Sequence, residues 1–155
     1  MFLGVYDTVP TDKDPNMYEL QRDYGFLRDD GLLIIGAKGV YVNGANIPRW
    51  AWVMVGSPLR GMNKYWSAPH DFLYAKHAII LDTTVVKGNV CENFKHWREL
   101  PSDCFRHQTC FNKKFADNTL LQAMTFLEEP WIKRKVCYAS VRVGGTGWWG
   151  GVIDT

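Results

Sequence analysis

The sequence predicts an α+β single domain in which a small N-terminal antiparallel β-meander packs on about three α-helices. Two observations support this prediction: short β-rich segments separated by turn residues fill the first part of the chain, and longer segments with helical periodicity follow. The 155 residues, 46% of them apolar and 22% charged, suffice for one domain with its own core. We expect the polar, proline-containing residues 1–17 to form an arm and residues 18–155 to form the globular domain.

The composition argues against several classes of function. A net charge of +2 gives no electrostatic basis for binding nucleic acid. No apolar run reaches the length of about 18 residues that a transmembrane helix needs. The N-terminus also lacks the basic start and long apolar stretch of a signal peptide. We therefore expect a protein made in a cytoplasm, with its cysteines reduced.

The predicted meander begins with a β-hairpin. The segments 24–28 and 32–35 are β-rich and flank the Asp-Asp-Gly sequence at 29–31, which is typical of a tight hairpin turn. After a further turn, a third strand at 40–42 is expected to complete the meander.

Helical periodicity and capping residues predict the helices that follow. They are a short helix ending at Val55, a central helix at about 68–77, a helix at about 113–127, and a last helix that Pro130 opens and Gly144-Gly145 closes. Residues 79–87 are rich in β-branched residues and predict a strand or hairpin. The polar segment at about 88–112 is expected to be an irregular insertion.

The central helix carries a group of polar side chains that needs an explanation. With Ser67 as its N-cap and Pro69 in its first turn, the helix would place His70, Tyr74 and His77 on one face. An ionisable His-Asp pair at the start of a mostly apolar helix is costly unless it has a partner.

Asp117 is the candidate partner. It shares a helical stripe with Leu120 and Met124, so its carboxylate is expected to face the interior, where it needs a charge or several donors. Pairing with His70 would make a general base and its orienting acid, with Tyr74 beside them. The alternative is a structural network in which the same side chains satisfy one another without performing chemistry.

Three cysteines and a histidine form a second candidate site. The spacing Cys104-x2-His107-x2-Cys110, with Cys91 upstream, offers four ligands that suit zinc. The Cys-x2-Cys pair of common zinc modules is absent, and reduced cysteines that bind no metal are the alternative.

Four motifs occur in an order that resembles a known family. They are Asn43-Gly-Ala-Asn-Ile-Pro-Arg49, Ala68-Pro-His-Asp-Phe-Leu-Tyr74, Ala116-Asp117 with Ala123-Met124, and Tyr138-Ala-Ser-Val-Arg-Val-Gly144. Over about residues 30–150 the chain resembles the bacteriophage and prophage family called domain of unknown function 1353. Its most specific element is His-Asp-x-Leu-Tyr. Asn43 and Asn46 stand where that family usually has Asp and Ser.

This resemblance implies a phage-encoded protein that is made in the host cytoplasm, is a candidate for incorporation in the virion, and has other phage proteins as partners. Two functions remain open. One is a small hydrolase that acts on an ester or a cell-envelope component through the His-Asp site. The other is a non-enzymatic particle protein, such as a tail or baseplate component or an assembly factor, in which the His-Asp network is structural.

A second likeness, to phospholipases A2, bears on the hydrolase alternative. Those enzymes carry His-Asp-x-x-Tyr on one helix and an Asp on the next. Carried over by position, the likeness implies that His70 is the base, that Asp71 binds calcium, and that Asp117 and Tyr74 orient the histidine. Calcium would then polarise the ester carbonyl. No glycine-rich calcium loop of the expected form precedes the helix, and no cysteines flank His70.

Overall fold

The computed structural model describes residues 1–12, 14, 16–44, 47, 49–57 and 61–144. In these residues the strands are β1 (Phe2–Leu3), β2 (Thr8–Pro10), β3 (Tyr18–Leu20), β4 (Tyr24–Leu27), β5 (Leu32–Gly36), β6 (Tyr41–Val42), β7 (Ile79–Asp82) and β8 (Phe105–Arg106). The α-helices are α1 (Trp52–Val55), α2 (Asn63–Tyr74), α3 (Val90–Lys95), α4 (Lys113–Phe126) and α5 (Trp131–Gly144). The chain is therefore a mixed α+β domain, as the sequence predicts.

The main sheet is antiparallel and has the strand order β1-β4-β5-β7-β8. The predicted hairpin is its centre, with Tyr24 paired to Gly36 and Leu27 paired to Leu33. The third strand of the predicted meander, β6, does not join the main sheet. Strand β6 pairs with β3, and these two form a second small sheet with β2.

The segment predicted as an arm contributes strands to both sheets, so that prediction is wrong. Strand β1 pairs with β4 at one edge of the main sheet, and β2 pairs with β3 at an edge of the small sheet. Pro10 ends β2, and an edge strand tolerates proline because one side of it donates no ladder hydrogen bonds.

The main sheet is buried on both faces. Along β5, Leu33 and Ile35 enter one apolar cluster and Ile34 enters another, and all three side chains are fully buried. On the helical face, Phe72 of α2 packs so closely on Gly36 that a Cβ at this glycine would overlap the ring. Helix α2 packs in turn on α4, and α4 packs on α5.

The segment 88–112 covers the opposite face of the sheet and is more regular than predicted. It contains α3, β8 and short 3-10 turns, and Phe94 and Cys104 pack against Leu33 and Leu81. The last helix ends at Gly144 as predicted, whereas Gly145 and the rest of the predicted domain to residue 155 lie outside the described residues. None of the described helices is long and apolar enough to cross a membrane.

Candidate functional site

Helix α2 begins earlier than the sequence predicts. It starts at Asn63, so Ser67 is not an N-cap and Pro69 lies in the helix interior. Proline has no N–H to donate to the carbonyl four residues earlier, which here is that of Tyr65. The Tyr24 hydroxyl of β4 donates to this carbonyl instead, at 3.4 Å. A contact from the sheet thus compensates for the missing helical hydrogen bond.

The helix also ends earlier than predicted. It stops at Tyr74, and Lys76 adopts a left-handed conformation with φ of 57°. The amide N–H groups of Lys76 and His77 turn back to the carbonyls of Leu73 and Phe72, a pattern that closes many helices. His77 is therefore outside the helix and exposed, and the predicted polar face is limited to His70 and Tyr74.

The structure brings His70, Tyr74 and Asp117 together. His70 Nε2 lies 3.3 Å from Asp117 Oδ1, and the Tyr74 hydroxyl donates to the same oxygen at 2.7 Å. The His70 and Tyr74 rings lie 4.0 Å apart, centroid to centroid. His70 and Asp117 each have 0% of their surface exposed. The geometry of a histidine and its orienting acid is present, and it is enclosed.

Two positively charged side chains that are not part of the predicted site also donate hydrogen bonds to Asp117. Its Oδ2 accepts from Lys113 Nζ at 2.9 Å and from Arg142 Nη1 at 3.1 Å. Lys113 also donates to the carbonyl of Val141 at 2.7 Å and so links α4 to α5. The spacing of four residues between Lys113 and Asp117 is a signal that could have revealed this pair. Only tertiary structure reveals Arg142.

Asp71 is held by the loop that follows β6. Its Oδ2 accepts the backbone N–H groups of Asn43, at 3.2 Å, and Gly44, at 2.7 Å. Gly44 has φ of 82°, a conformation that favours glycine. Because the contact uses the main chain of Asn43, it does not depend on whether Asn or Asp stands there. Asp71 Oδ1 lies 3.9 Å from His70 Nδ1.

Burial and hydrogen bonding have opposite effects on the pKa values of the ionisable groups in this network. Burial lowers the pKa of His70, but the neighbouring Asp117 and Asp71 outweigh it and raise the pKa above its ordinary value. Burial raises the pKa of Asp117, but donors including His70, Lys113 and Tyr74 hold it well below the ordinary value. The pKa of Asp71 is raised, because burial outweighs its hydrogen bonds.

One atom of the network is unsatisfied. His70 Nδ1 is buried and has no hydrogen-bond partner. A buried polar atom without a partner is uncommon in folded proteins and indicates a site for water, a ligand or chemistry. This nitrogen faces Asp71, on the opposite side of the imidazole from Asp117.

In the described part of the chain, the residues of the predicted metal sites are not grouped as a set of metal ligands. Among the described residues, no three His, Cys, Asp or Glu side chains are grouped so that they could hold a metal ion. Cys104 is buried in the core beneath the sheet, whereas Cys91 and Cys110 are exposed. His107 Nδ1 accepts the N–H of Thr109. For Asp71, Oδ2 accepts the two N–H donors of the preceding loop, and Oδ1 lies beside His70.

Comparison with known proteins identifies the family. Residues 18–141 match the family described as Protein of unknown function (DUF1353), and the chain belongs to it. The chain is also similar to the uncharacterized protein y4jT of Sinorhizobium fredii, with 33% identity over 76 residues. That match covers 46% of this chain and 23% of the relative, so the chain spans only a small part of that protein. No solved structure matches significantly.

Proposed function

We propose that the chain is a non-enzymatic, phage-encoded protein of the virus particle or of its assembly, and that the His-Asp network is a structural clamp. The observation that carries the proposal is the burial of the network. A catalytic histidine must reach its substrate, and His70 and Asp117 have no exposed surface.

The connections of the network support a clamp. His70 and Tyr74 belong to α2, Asp117 to α4 and Arg142 to α5, and Asp71 fixes the loop after β6. A single set of hydrogen bonds and ion pairs thus joins three helices and a loop. The motifs by which the sequence resembles its family meet at this point, so their pattern is consistent with a shared fold.

The phage part of the proposal rests on the family, which the sequence resemblance associates with bacteriophages and prophages. A role in protein contacts is supported by large apolar side chains on the surface. More than half of the surface of each is exposed in Trp50, Val53, Met54, Trp131, Ile132 and Val143. Val53 and Met54 lie on α1 and the last three lie on α5, and these two helices pack on each other. Apolar residues grouped on one surface are typical of interaction sites.

A hydrolase is the second candidate, and one observation favours it. His70 Nε2 is held by Asp117, whereas Nδ1 is unpartnered and would be the nitrogen that takes a proton from an attacking water. This arrangement has the roles that the likeness to phospholipases A2 implies. Catalysis would require the cover over His70 to open, because no substrate reaches a fully buried ring.

The test compares His70→Gln with the control His77→Gln, which changes an exposed histidine outside the network. We expect His70→Gln to lower the free energy of unfolding and the control to leave it unchanged. We also expect wild type and both variants to show the same background rate on nitrophenyl esters and phospholipid vesicles, with and without calcium. Hydrolysis by wild type and by His77→Gln that is lost in a folded His70→Gln protein would establish the hydrolase instead. Mass spectrometry of purified particles of the encoding phage tests the particle assignment.

A further inference from the structure

A cavity of about 510 Å³ is lined by residues that do not belong to the His-Asp network. It is bounded by the turn after α2, by strand β7, and by the β8 region of the segment that covers the sheet. This volume is typical of sites that bind small molecules.

The interior of the cavity is apolar and aromatic. Ala78 and Ile79 line it together with the rings of Trp97 and Phe105, whose centroids are 6.5 Å apart at an interplanar angle of 76°. Trp97 is fixed in place, because its Nε1 donates to Asp23 Oδ2 at 2.9 Å. Two rings at nearly a right angle offer both a face and an edge to a flat ligand.

The polar residues of the cavity favour an anion. Lys76, Arg106 and His107 line it, and no acidic residue is among the described residues that do so. Asp82 neutralises Arg106 through contacts at 2.9 and 2.6 Å. Lys76 has no carboxylate within ion-pair distance in the described part of the chain, so its charge is available. His107 Nδ1 is occupied by Thr109, whose N–H lies 3.4 Å and whose hydroxyl lies 2.6 Å from it, so Nε2 is the ring nitrogen that is left for a ligand.

From these observations we propose that the cavity binds a small anionic ligand with a flat aromatic body. The rings of Trp97 and Phe105 contact the flat body, and Lys76 and His107 Nε2 bind the anionic group. The proposal does not depend on the function of the His-Asp network, because none of the residues of that network lines the cavity.

The test uses two probes, adenosine 5′-monophosphate and naphthalene-2-sulfonate, in an NMR titration of the full chain. We expect both probes to shift the Trp97 indole signal and the backbone signals of residues 105–109. Adenosine, which lacks the charge, and inorganic phosphate, which lacks the ring, should bind more weakly.

The informative variant is Lys76→Gly, with Glu128→Gly as its matched control. Both residues have left-handed backbones just after a helix, so both substitutions relieve the same strain, but only the first removes a charge from the cavity. We expect Lys76→Gly to weaken probe binding by about three- to fivefold and Glu128→Gly to leave it unchanged. The proposal is overturned if neither probe shifts the cavity signals at millimolar concentration, or if both variants bind the probes as wild type does.

Discussion

The substitution Asp117→Asn removes the charge at the centre of the buried network while nearly preserving its shape. Wild-type Asp117 accepts hydrogen bonds from Tyr74, Lys113 and Arg142 and contacts His70. An asparagine can accept through one oxygen only, and its NH₂ group then faces donors. The variant therefore leaves positive charge in the network without its counter-charge.

The exposure of each cation sets the size of the effect. The side chain of Arg142 is 40% exposed, so its pair with Asp117 is screened by water and contributes at most about 1 kcal/mol. The side chain of Lys113 is 15% exposed, and loss of a partner from a buried pair costs about 3–5 kcal/mol. The lower end applies because Lys113 keeps its bond to Val141. We expect a total loss of about 3 kcal/mol, which for a domain of this size lowers Tm by about 6–12 °C.

Urea unfolding followed by circular dichroism measures this loss. The control is Asp103→Asn, because Asp103 is exposed and lies outside the network. We expect the control to change the free energy of unfolding by less than about 0.5 kcal/mol and the m-value to be the same in all three proteins. If Asp117→Asn is no less stable than the control, the network does not clamp the helices and the reasoning is wrong.

Three further predictions follow from the same contacts. The folded protein holds the proton of His70 more tightly than the unfolded chain, so the stabilisation is complete below about pH 6.5 and is lost as the pH rises through the raised pKa. Urea titrations at several pH values should show this decline in wild type and not in His70→Gln. Lys76→Gly and Glu128→Gly should each raise the free energy of unfolding by about 0.5–1 kcal/mol, since glycine adopts φ near 55° without strain; a lower Tm in both would contradict this. Gly36→Ala should destabilise the fold by about 2–3 kcal/mol, because the new methyl group overlaps the Phe72 ring, and the double variant with Phe72→Leu should recover part of the loss.

Local sequence was a good guide where one element decides its own structure. The hairpin around Asp29-Asp30-Gly31 and the helices α4 and α5 were predicted because turn residues, caps and periodicity are local signals. The local signals give the wrong start for α2, because they place Pro69 in the first turn of this helix. Pro69 is tolerated in the helix interior because the hydroxyl of Tyr24 in β4 donates to the carbonyl that proline leaves without a partner. A local sequence pattern cannot predict a partner that is so distant in the chain.

The candidate site shows the same division. The inward stripe of α4 was sufficient to predict that Asp117 is buried, and its pairing with His70 follows from the need of a buried carboxylate for a partner. Arg142 is absent from the predicted site, because nothing in the sequence shows that the end of α5 lies beside Asp117. The zinc pattern of Cys104 and His107 likewise reflected closeness in sequence, whereas the fold buries the cysteine beneath the sheet.

The sequence by itself determined the α+β class, the hairpin, the two long C-terminal helices and the polar residues that meet in the core, because these depend on periodicity, turn chemistry and the cost of burying charge. Tertiary structure alone decided that the N-terminal residues pair as strands, that Lys113 and Arg142 share the charge of Asp117, and that His70 is enclosed. These outcomes depend on which distant segments come into contact. Enclosure in particular is a property of the whole packed domain. It decides whether a substrate can reach a histidine that lies beside an aspartate, or whether the pair serves only to hold helices together.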